Sequence, residues 1–301
     1  MNQNVILGVV NVVLVFLLSP LLEGTLRKLK AFVHSRVGPP VYQPYLDLLK
    51  LLGKEEVECE GTVLFRWSPV VALAAVLSVA LLTPVGLVPP LDAAGEVIVF
   101  VYLITLSGVA VMASGIGSGS PYGIVGSARE MMLILTVEPV LAIALITVAV
   151  KAGSMKFSDI LAYQTSHPYS LSMVLVTFSL FMAVLAQLAK LPFDIVEAET
   201  EIMEGPFIEQ SGPRLALFKW SFYAKELIFA SLLATIFFPW PRISEPVLTV
   251  VVHLLKIVLL LLIVGVIDAV NPRLRIDQAI RFYGALIFVA FAGLAFAIVG
   301  S

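Results

Sequence analysis

The sequence has very few side chains that bind metals or form disulfides. It contains one cysteine, Cys59, and three scattered histidines, His34, His167 and His253. One cysteine can form neither an internal disulfide nor the thiolate set of an iron–sulfur cluster. Histidines this far apart do not show the spacing of a metal site. We therefore expect this chain to hold no metal or other cofactor of its own.

Charge is also scarce. Only 13% of the 301 residues are charged, the formal net charge is −2, and 59% are hydrophobic. A net charge near zero gives no support for nucleic-acid binding. We find no glycine-rich phosphate loop opening a helix and no catalytic serine or cysteine motif, so no catalytic residue is predicted. A soluble protein this apolar would lack the polar surface that keeps it dispersed, so the composition is typical of an integral membrane protein.

Eight apolar segments are long enough to cross a bilayer as helices, which takes about 20 residues each. They lie at 5–22, 68–90, 97–115, 131–150, 171–189, 215–238, 246–267 and 282–300. The first segment lacks a basic leader and a cleavage site, so we expect it to be retained as a span. Because there is no internal repeat and no linker, residues 1–301 are predicted to form a single all-α, polytopic membrane domain.

Lysine and arginine are unevenly distributed between the two sides of this domain. One side has 13 of them, in loops 27–66, 116–130, 190–214 and 271–281. The other side has three, Lys151, Lys156 and Arg242. Loops rich in Lys and Arg stay in the cytoplasm. The four loops are therefore predicted to be cytoplasmic and both termini to lie outside.

Two short surface helices are also predicted. Residues 43–52 carry Leu46, Leu49 and Leu52 at about helical spacing. This pattern favours an amphipathic helix that lies on the membrane surface or against a partner. On the other side, the loop 151–170 has enough polar residues for a second short helix.

The most unusual segment is acidic. Between Leu191 and Pro213 there are six of the chain's 21 carboxylates and no lysine or arginine. The six are Asp194, Glu197, Glu199, Glu201, Glu204 and Glu209. If residues 193–204 are helical, Asp194, Glu197, Glu201 and Glu204 fall within an arc of about 80°. Crowded carboxylates raise one another's pKa and can exchange protons near neutral pH. The alternative is a solvated acidic loop.

Charged residues also occur inside the predicted spans. Glu138 lies in the fourth span, and Lys219, Lys225 and Glu226 lie in the sixth. A charge at the bilayer centre costs about 2.5–3.5 kcal/mol on insertion scales, so such groups pair with one another or face water. They predict either structural ion pairs, such as Glu138 with Lys219 or Lys225, or a chain of titratable groups that carries H⁺ or coordinates Na⁺.

Several motifs together resemble the membrane subunit 1 family of complex I. Lys190–Glu201, followed by Gly205 and Glu209–Pro213, is similar to the signature loop of that family. Pro272–Gln278 is similar to its motif before the last helix. Arg129 and Glu138, nine residues apart, match an Arg and a Glu of a family helix, and the basic stretch Arg27–Pro39 matches the first loop. The resemblance covers essentially the whole chain.

The resemblance implies a membrane-anchor subunit of a redox-driven, ion-translocating complex. The implied partners are antiporter-like membrane subunits, which lie with this chain in the cell membrane, and a peripheral arm that contains a hydrogenase-like large subunit and an iron–sulfur small subunit. Iron–sulfur clusters, and in a hydrogenase a nickel–iron centre, would belong to those partners. The expected ion relay consists of Asp194, Glu197, Glu199, Glu201, Glu204, Glu209, Glu138, Arg129, Lys219, Lys225 and Glu226. The expected docking residues are Arg36, Asp47, Arg273, Arg275 and Asp277.

The chain also departs from the pattern of the quinone-reducing members. Gln187 and Phe222 stand where those members carry Glu, and the first loop is shorter. The span with two lysines, Ala216–Glu226, looks more like the hydrogenase branch. We therefore favour a membrane-bound hydrogenase-type complex or a sulfur-reducing relative. The alternatives are the quinone-site subunit of a complex I-type dehydrogenase and a purely structural membrane anchor.

Overall fold

The computed structural model describes residues 3–57, 62–84, 96–167, 170–196, 198–239 and 246–300, without the side chains of 3–6, 199, 200, 246 and 247. The helices are α1 (Gln3–Val33), α2 (Gln43–Leu52), α3 (Val63–Leu82), α4 (Val97–Gly117), α5 (Pro121–Ala152), α6 (Phe157–Ser166), α7 (Leu171–Gln187), α8 (Glu199–Ile202), α9 (Gly212–Phe237), α10 (Pro246–Val270) and α11 (Ile276–Val299). A 3₁₀ turn spans Gly205–Phe207. The prediction of an all-α membrane protein is confirmed.

Within the described residues, seven helices are long and apolar enough to cross a membrane. The remaining predicted span, the fifth along the sequence, corresponds to α7, an apolar helix of 17 residues. That length is at the lower end of the roughly 17–25 residues that span a bilayer. Both predicted surface helices are present, as α2 and α6. In α2, Leu48 is buried while Leu46, Leu49 and Leu52 are exposed, so the helix has one packed face and one free apolar face.

Backbone hydrogen bonds hold the connections together at one end of the bundle. Thr62 N–H donates to Gly117 O at 3.3 Å and joins the start of α3 to the end of α4. Leu274 N–H donates to Pro192 O at 2.9 Å and joins the segments after α10 and α7. The segments 34–57, 118–120, 188–196, 198–211 and 271–275 therefore lie at one end, which we call the charged end.

Helix α9 runs through the middle of the bundle. It packs against α1, α2, α3 and α10, and 89% of its most apolar 18-residue stretch is buried. Towards the opposite end, its Phe229 meets Phe100 of α4 edge to face at 5.9 Å, and Phe100 meets Phe157 of α6 at 5.8 Å. These apolar contacts fix the depth of α9 and so position the charged residues nearer its start.

The predicted helix over 193–204 is wrong. Only Glu199–Ile202 is helical, and Met203 and Glu204 adopt left-handed backbone angles, with φ of 51° and 69°. The segment turns because Phe193, Ile195, Val196 and Ile202 are all buried, a spacing that no single helical face can provide.

Asp194, Glu201 and Glu204 therefore do not share a face. Asp194 pairs with Arg273 and Glu201 pairs with Arg129, whereas Glu204 is exposed beside a cavity. The fourth carboxylate, Glu197, lies outside the described residues. Ion pairs with α5 and with the segment before α11 thus replace the expected cluster of carboxylates.

Candidate functional site

A cavity of about 380 Å³ lies at the charged end between α1, α9, the end of α10 and residues 188–194. Most of its lining side chains are polar or charged, which is unusual next to apolar helices. We call it the charged cavity. Its ionisable residues are Glu23, Arg27, Lys30, Lys190, Asp194, Glu204, Lys219, Tyr223, Glu226 and Asp268.

Lys190 bridges two carboxylates in this cavity. Its Nζ lies 3.1 Å from Glu23 Oε2 on α1 and 3.5 Å from Glu226 Oε2 on α9. The side chains of Glu23, Lys190 and Glu226 are 13%, 15% and 4% exposed. One ammonium thus serves two carboxylates that are shielded from solvent.

Arg27 extends the same network towards the surface. Its Nε donates to Glu23 Oε1 at 3.0 Å and its Nη1 donates to Asp47 Oδ2 at 2.9 Å. Its Nη2 donates to the Tyr223 hydroxyl at 2.8 Å. The guanidinium therefore ties α1 to α2 and α9 and fixes the carboxylate of Glu23.

Asp268 closes the cavity from the end of α10. Its Oδ1 accepts the backbone N–H of Leu191 at 2.9 Å, and its Oδ2 pairs with Lys30. In the connected network, three carboxylates (Glu23, Asp47 and Glu226) face two cations (Arg27 and Lys190), while Asp268 and Lys30 form a separate pair. The network has one carboxylate more than it has cations, so it favours the uptake of a further cation.

The pKa of Lys190 reflects this surplus. Burial lowers the pKa of an ammonium, but the carboxylates of Glu226, Glu23 and Asp268 outweigh burial and raise the pKa of Lys190 above its usual value. Lys190 therefore remains protonated at neutral pH.

A second cavity lies next to the first, deeper in the bundle. It has a volume of about 30 Å³, enough for about two waters. Glu130 of α5, Lys225 of α9 and Gln187 of α7 line it. We call it the inner cavity. Lys225 interacts electrostatically with Glu130 and with Glu138 of the same helix, α5.

A third pocket, of about 230 Å³, lies between the start of α5, the acidic segment and the start of α11. Arg129 Nη1 donates to Glu201 Oε2 at 2.7 Å across it. Arg273, Arg275 and Asp277 contribute the other charged side chains. We call it the outer pocket, because Glu201, Arg275 and Asp277 are exposed.

Comparison with known proteins places this architecture in a family. The family model described as NADH dehydrogenase matches residues 5–299. The chain belongs to this family. Within it, the charged end contains the signature residues Lys190–Pro213 and Pro272–Gln278 on which the resemblance was noted.

The individual relatives are subunits of hydrogenase and respiratory complexes. The chain is 33% identical to formate hydrogenlyase subunit 4 of Escherichia coli (strain K12), covering 97% of this chain and 99% of that protein. It is 35% identical to hydrogenase-4 component C of the same strain, covering 90% and 89%. A solved chain of the membrane-bound sulfane sulfur reductase, an archaeal respiratory membrane complex, superposes with a TM-score of 0.90 at 27% identity, covering 98% of this chain and all of that one.

The structure brings most of the predicted relay residues of this family member into three places. Asp194, Glu204, Lys219 and Glu226 line the charged cavity. Lys225 lines the inner cavity. Arg129 and Glu201 line the outer pocket together with the docking residues Arg273, Arg275 and Asp277.

Of the other predicted residues, those whose side chains are described lie apart from these cavities. Asp47 joins the network through Arg27, Arg36 is exposed after α1, and Glu209 is half-buried beyond the 3₁₀ turn. The side chain of Glu199 is not among those described. Whether any of the predicted residues moves ions stays a prediction.

Sequence reasoning missed Glu23, Glu130, Lys190 and Asp268 as site residues. Glu23 and Glu130 were placed just outside the predicted spans, but α1 and α5 continue through both positions. The i,i+4 spacing of Glu23 and Arg27, which form an ion pair at 3.0 Å, was the available signal that the first helix extends to the charged end.

The two departures from the quinone-reducing pattern meet in space. Gln187 and Phe222 both line the inner cavity, beside Glu130 and Lys225. Among the described residues, no group of three or more His, Cys, Asp or Glu side chains is arranged to hold a metal ion.

Proposed function

We propose that this chain is the membrane-anchor subunit of a redox-driven complex that moves H⁺ or Na⁺ across the cell membrane. Its relatives named above are subunits of formate hydrogenlyase, of hydrogenase-4 and of a sulfane sulfur reductase complex. The fit to each covers nearly the whole of both chains, which supports an equivalent place in a complex of this kind.

The observation that carries the proposal is Lys190 held between Glu23 and Glu226 in an enclosed cavity. A buried network with more carboxylates than cations is costly unless it binds another positive charge. A proton or a sodium ion meets that need. The charged cavity therefore acts as a relay station, loaded from the charged end and emptied towards the inner cavity.

The charged end is also the docking face for a peripheral arm. The excess of Lys and Arg in its loops puts it on the cytoplasmic side, with both termini outside. The outer pocket, with Arg129, Arg273 and Arg275, receives the arm, which carries the iron–sulfur clusters and, in a hydrogenase, the nickel–iron centre. The arm delivers electrons, and this chain converts its contact with the arm into ion movement.

Protons or a sulfur compound are the proposed electron acceptors, in preference to quinone. The relatives that match most of the chain at 33% and 35% identity are hydrogenase-type subunits. In addition, the ring of Phe222 occupies the boundary of the charged cavity, and the cavity lining is too rich in charge for an apolar isoprenoid tail. The metal content and cysteine ligands of the co-purified catalytic subunit test this assignment.

The central test is Glu226→Gln in the intact complex, reconstituted into proteoliposomes. Redox turnover and ion uptake are measured together. We expect the number of ions moved per electron to fall about tenfold or more, because the amide cannot take up a proton and the network loses its surplus charge. Assembly is verified by size-exclusion chromatography.

Asp159→Asn is the matched control, because Asp159 is an exposed carboxylate at the opposite end. It should leave the ion-to-electron ratio unchanged. If Glu226→Gln, Glu23→Gln and Glu138→Gln all pump normally in assembled complexes, the chain is a structural anchor and the proposal fails.

A further inference from the structure

Two consecutive residues of α9 face different cavities. Lys225 lines the inner cavity, whereas Glu226 lines the charged cavity. Both are buried, with 5% and 3% of their surface exposed. Adjacent residues of one helix therefore line the two cavities. The side chains that lie between the cavities decide whether ions can pass from one to the other.

The separating wall consists of three residues. Ala189, Phe207 and Phe222 are the ones that line both cavities. The rings of Phe207 and Phe222 meet edge to face, with centroids 5.4 Å apart and planes at 89°. No polar side chain is among these three, so the wall is apolar on both of its sides.

One half of the wall is fixed. Met203, Glu204 and Gly205 precede Phe207 with φ of 51°, 69° and 51°, angles that cost a non-glycine residue about 1–2 kcal/mol each. They persist because the following Pro206 is held: its carbonyl accepts the Ser114 hydroxyl at 3.3 Å. Phe207 also packs edge to face on the buried Phe218 at 5.0 Å.

The other half has room to move. Phe222 is half-buried although it lies inside the bundle, because its ring borders empty space in both cavities. Phe207 is only 5% exposed. A rotation of the Phe222 side chain would therefore open the wall without moving the backbone.

We propose that Phe222, closed against Phe207, is an aromatic gate that keeps water from connecting the charged cavity to Glu130 and Lys225. Proton transfer needs a continuous hydrogen-bonded chain, and an apolar constriction interrupts it by excluding water. The gate regulates the ion path of the proposed function and so rests on it. It prevents ions from leaking between the compartments when no electrons flow.

The test measures access to the inner cavity directly. Val137 lines that cavity and is 2% exposed. In the intact complex with Cys59→Ser, the variant Val137→Cys is exposed to a small cationic methanethiosulfonate reagent from the charged end. We expect Phe222→Ala to raise the modification rate about tenfold or more, because a wetted path replaces the ring.

Leu191→Ala is the matched control. Leu191 is an apolar residue that lines the charged cavity but not the inner one, and it does not belong to the wall. It should leave the modification rate unchanged, and Phe222→Trp should also keep the gate closed. Phe222→Leu serves if the alanine variant does not assemble, and it should give an intermediate rate.

A second readout is the passive proton leak of proteoliposomes without an electron donor. We expect Phe222→Ala to increase it and to lower the ion-to-electron ratio while redox turnover continues. Modification of Val137→Cys at the wild-type rate in both Phe222→Ala and Phe222→Leu would overturn the gate. That result leaves the effect of Glu226→Gln untouched, so failure of the gate is distinguishable from failure of the proposed function.

Discussion

Helices α9 and α10 both carry charged residues, yet they occupy opposite environments. The most apolar 18-residue stretch of α9 has a mean hydropathy of 1.2 and is 89% buried. The corresponding stretch of α10 has a mean hydropathy of 3.0 and is 33% buried. In a water-soluble protein, the more apolar helix would be the more buried one. Here the polar helix is enclosed by apolar helices, which is the arrangement that hydrocarbon surroundings favour.

The charged side chains of the two helices have correspondingly different partners. Glu226 of α9 belongs to an ion network that connects several elements. On α10, His253 Nε2 bonds to the Ser231 hydroxyl at 2.9 Å and Lys256 donates to Phe238 O at 2.7 Å. Neutral partners suffice for these two residues of the peripheral helix, whereas Asp268 in its last turn pairs with Lys30 at the charged end, where the central helix also uses charged partners. The cluster around α9 is therefore where ions should be handled.

Removal of the central cation gives the largest effect that this contrast predicts. Lys190→Met leaves Glu23 and Glu226 as buried like charges, which should cost about 3–5 kcal/mol of unfolding free energy. Thermal unfolding of the detergent-solubilised protein measures it. Lys256→Met on α10, the control, should cost far less because its partner is a carbonyl. Equal losses in the two variants would abolish the distinction between the helices.

The contribution of Lys190 to the free energy of unfolding should also depend on pH. Because the pKa of Lys190 is raised on folding, its contribution is fully present below the unfolded value, about 10.4, and declines as pH rises above it. The stability difference between the wild type and Lys190→Met should therefore shrink above about pH 10.5. Melting temperatures measured on both sides of this pH test the prediction; a difference that does not shrink on the alkaline side would contradict it.

A smaller effect concerns the wall beside α9. A Cβ at Gly126 would lie 2.6 Å from Pro206 Cδ and 2.8 Å from Gly205 Cα, so Gly126→Ala should displace the 3₁₀ turn at a cost of about 1–3 kcal/mol. Gly284→Ala on α11 is the control, since a Cβ there meets nothing within 4 Å. Stability should fall in the first variant and not in the second, and equal stabilities would show that the turn adapts.

The smallest effect is expected in the outer pocket. The side chain of Glu201 is 50% exposed in its pair with Arg129, so Glu201→Gln should change the unfolding free energy by about 0–1 kcal/mol. Asp194→Asn should cost more, because Asp194 and Arg273 are only 21% and 23% exposed. Parallel denaturation curves compare the two. The reverse order would mean that solvent exposure does not determine the strength of these pairs.

Patterns that repeat along one helix were predictable from the sequence. The spans were predicted from runs of apolar residues. The leucine spacing predicted a helix over 43–52, and α2 extends from Gln43 to Leu52. The acidic segment was misjudged because its conformation depends on distant partners. Arg129 and Arg273, which pair with Glu201 and Asp194, lie on other elements, and no local rule reveals such contacts.

The candidate site was predictable only in part for the same reason. Glu226 and Lys225 were identified because charges inside an apolar run are conspicuous. That they face different cavities depends on the rotation of α9 within the bundle, which its neighbours determine. Lys190 was counted only as a loop cation, since its two carboxylate partners are contributed by the first and sixth predicted spans.

The ion pair between Glu23 and Arg27 has a consequence for biogenesis. Both residues lie on α1, whereas Lys190 follows Glu23 by 167 positions and is therefore synthesised later. One helical turn separates Glu23 from Arg27, so the two charges neutralise each other during insertion. Glu23 can therefore wait in the bilayer as part of an ion pair until the later segments bring Lys190 and Glu226 to it.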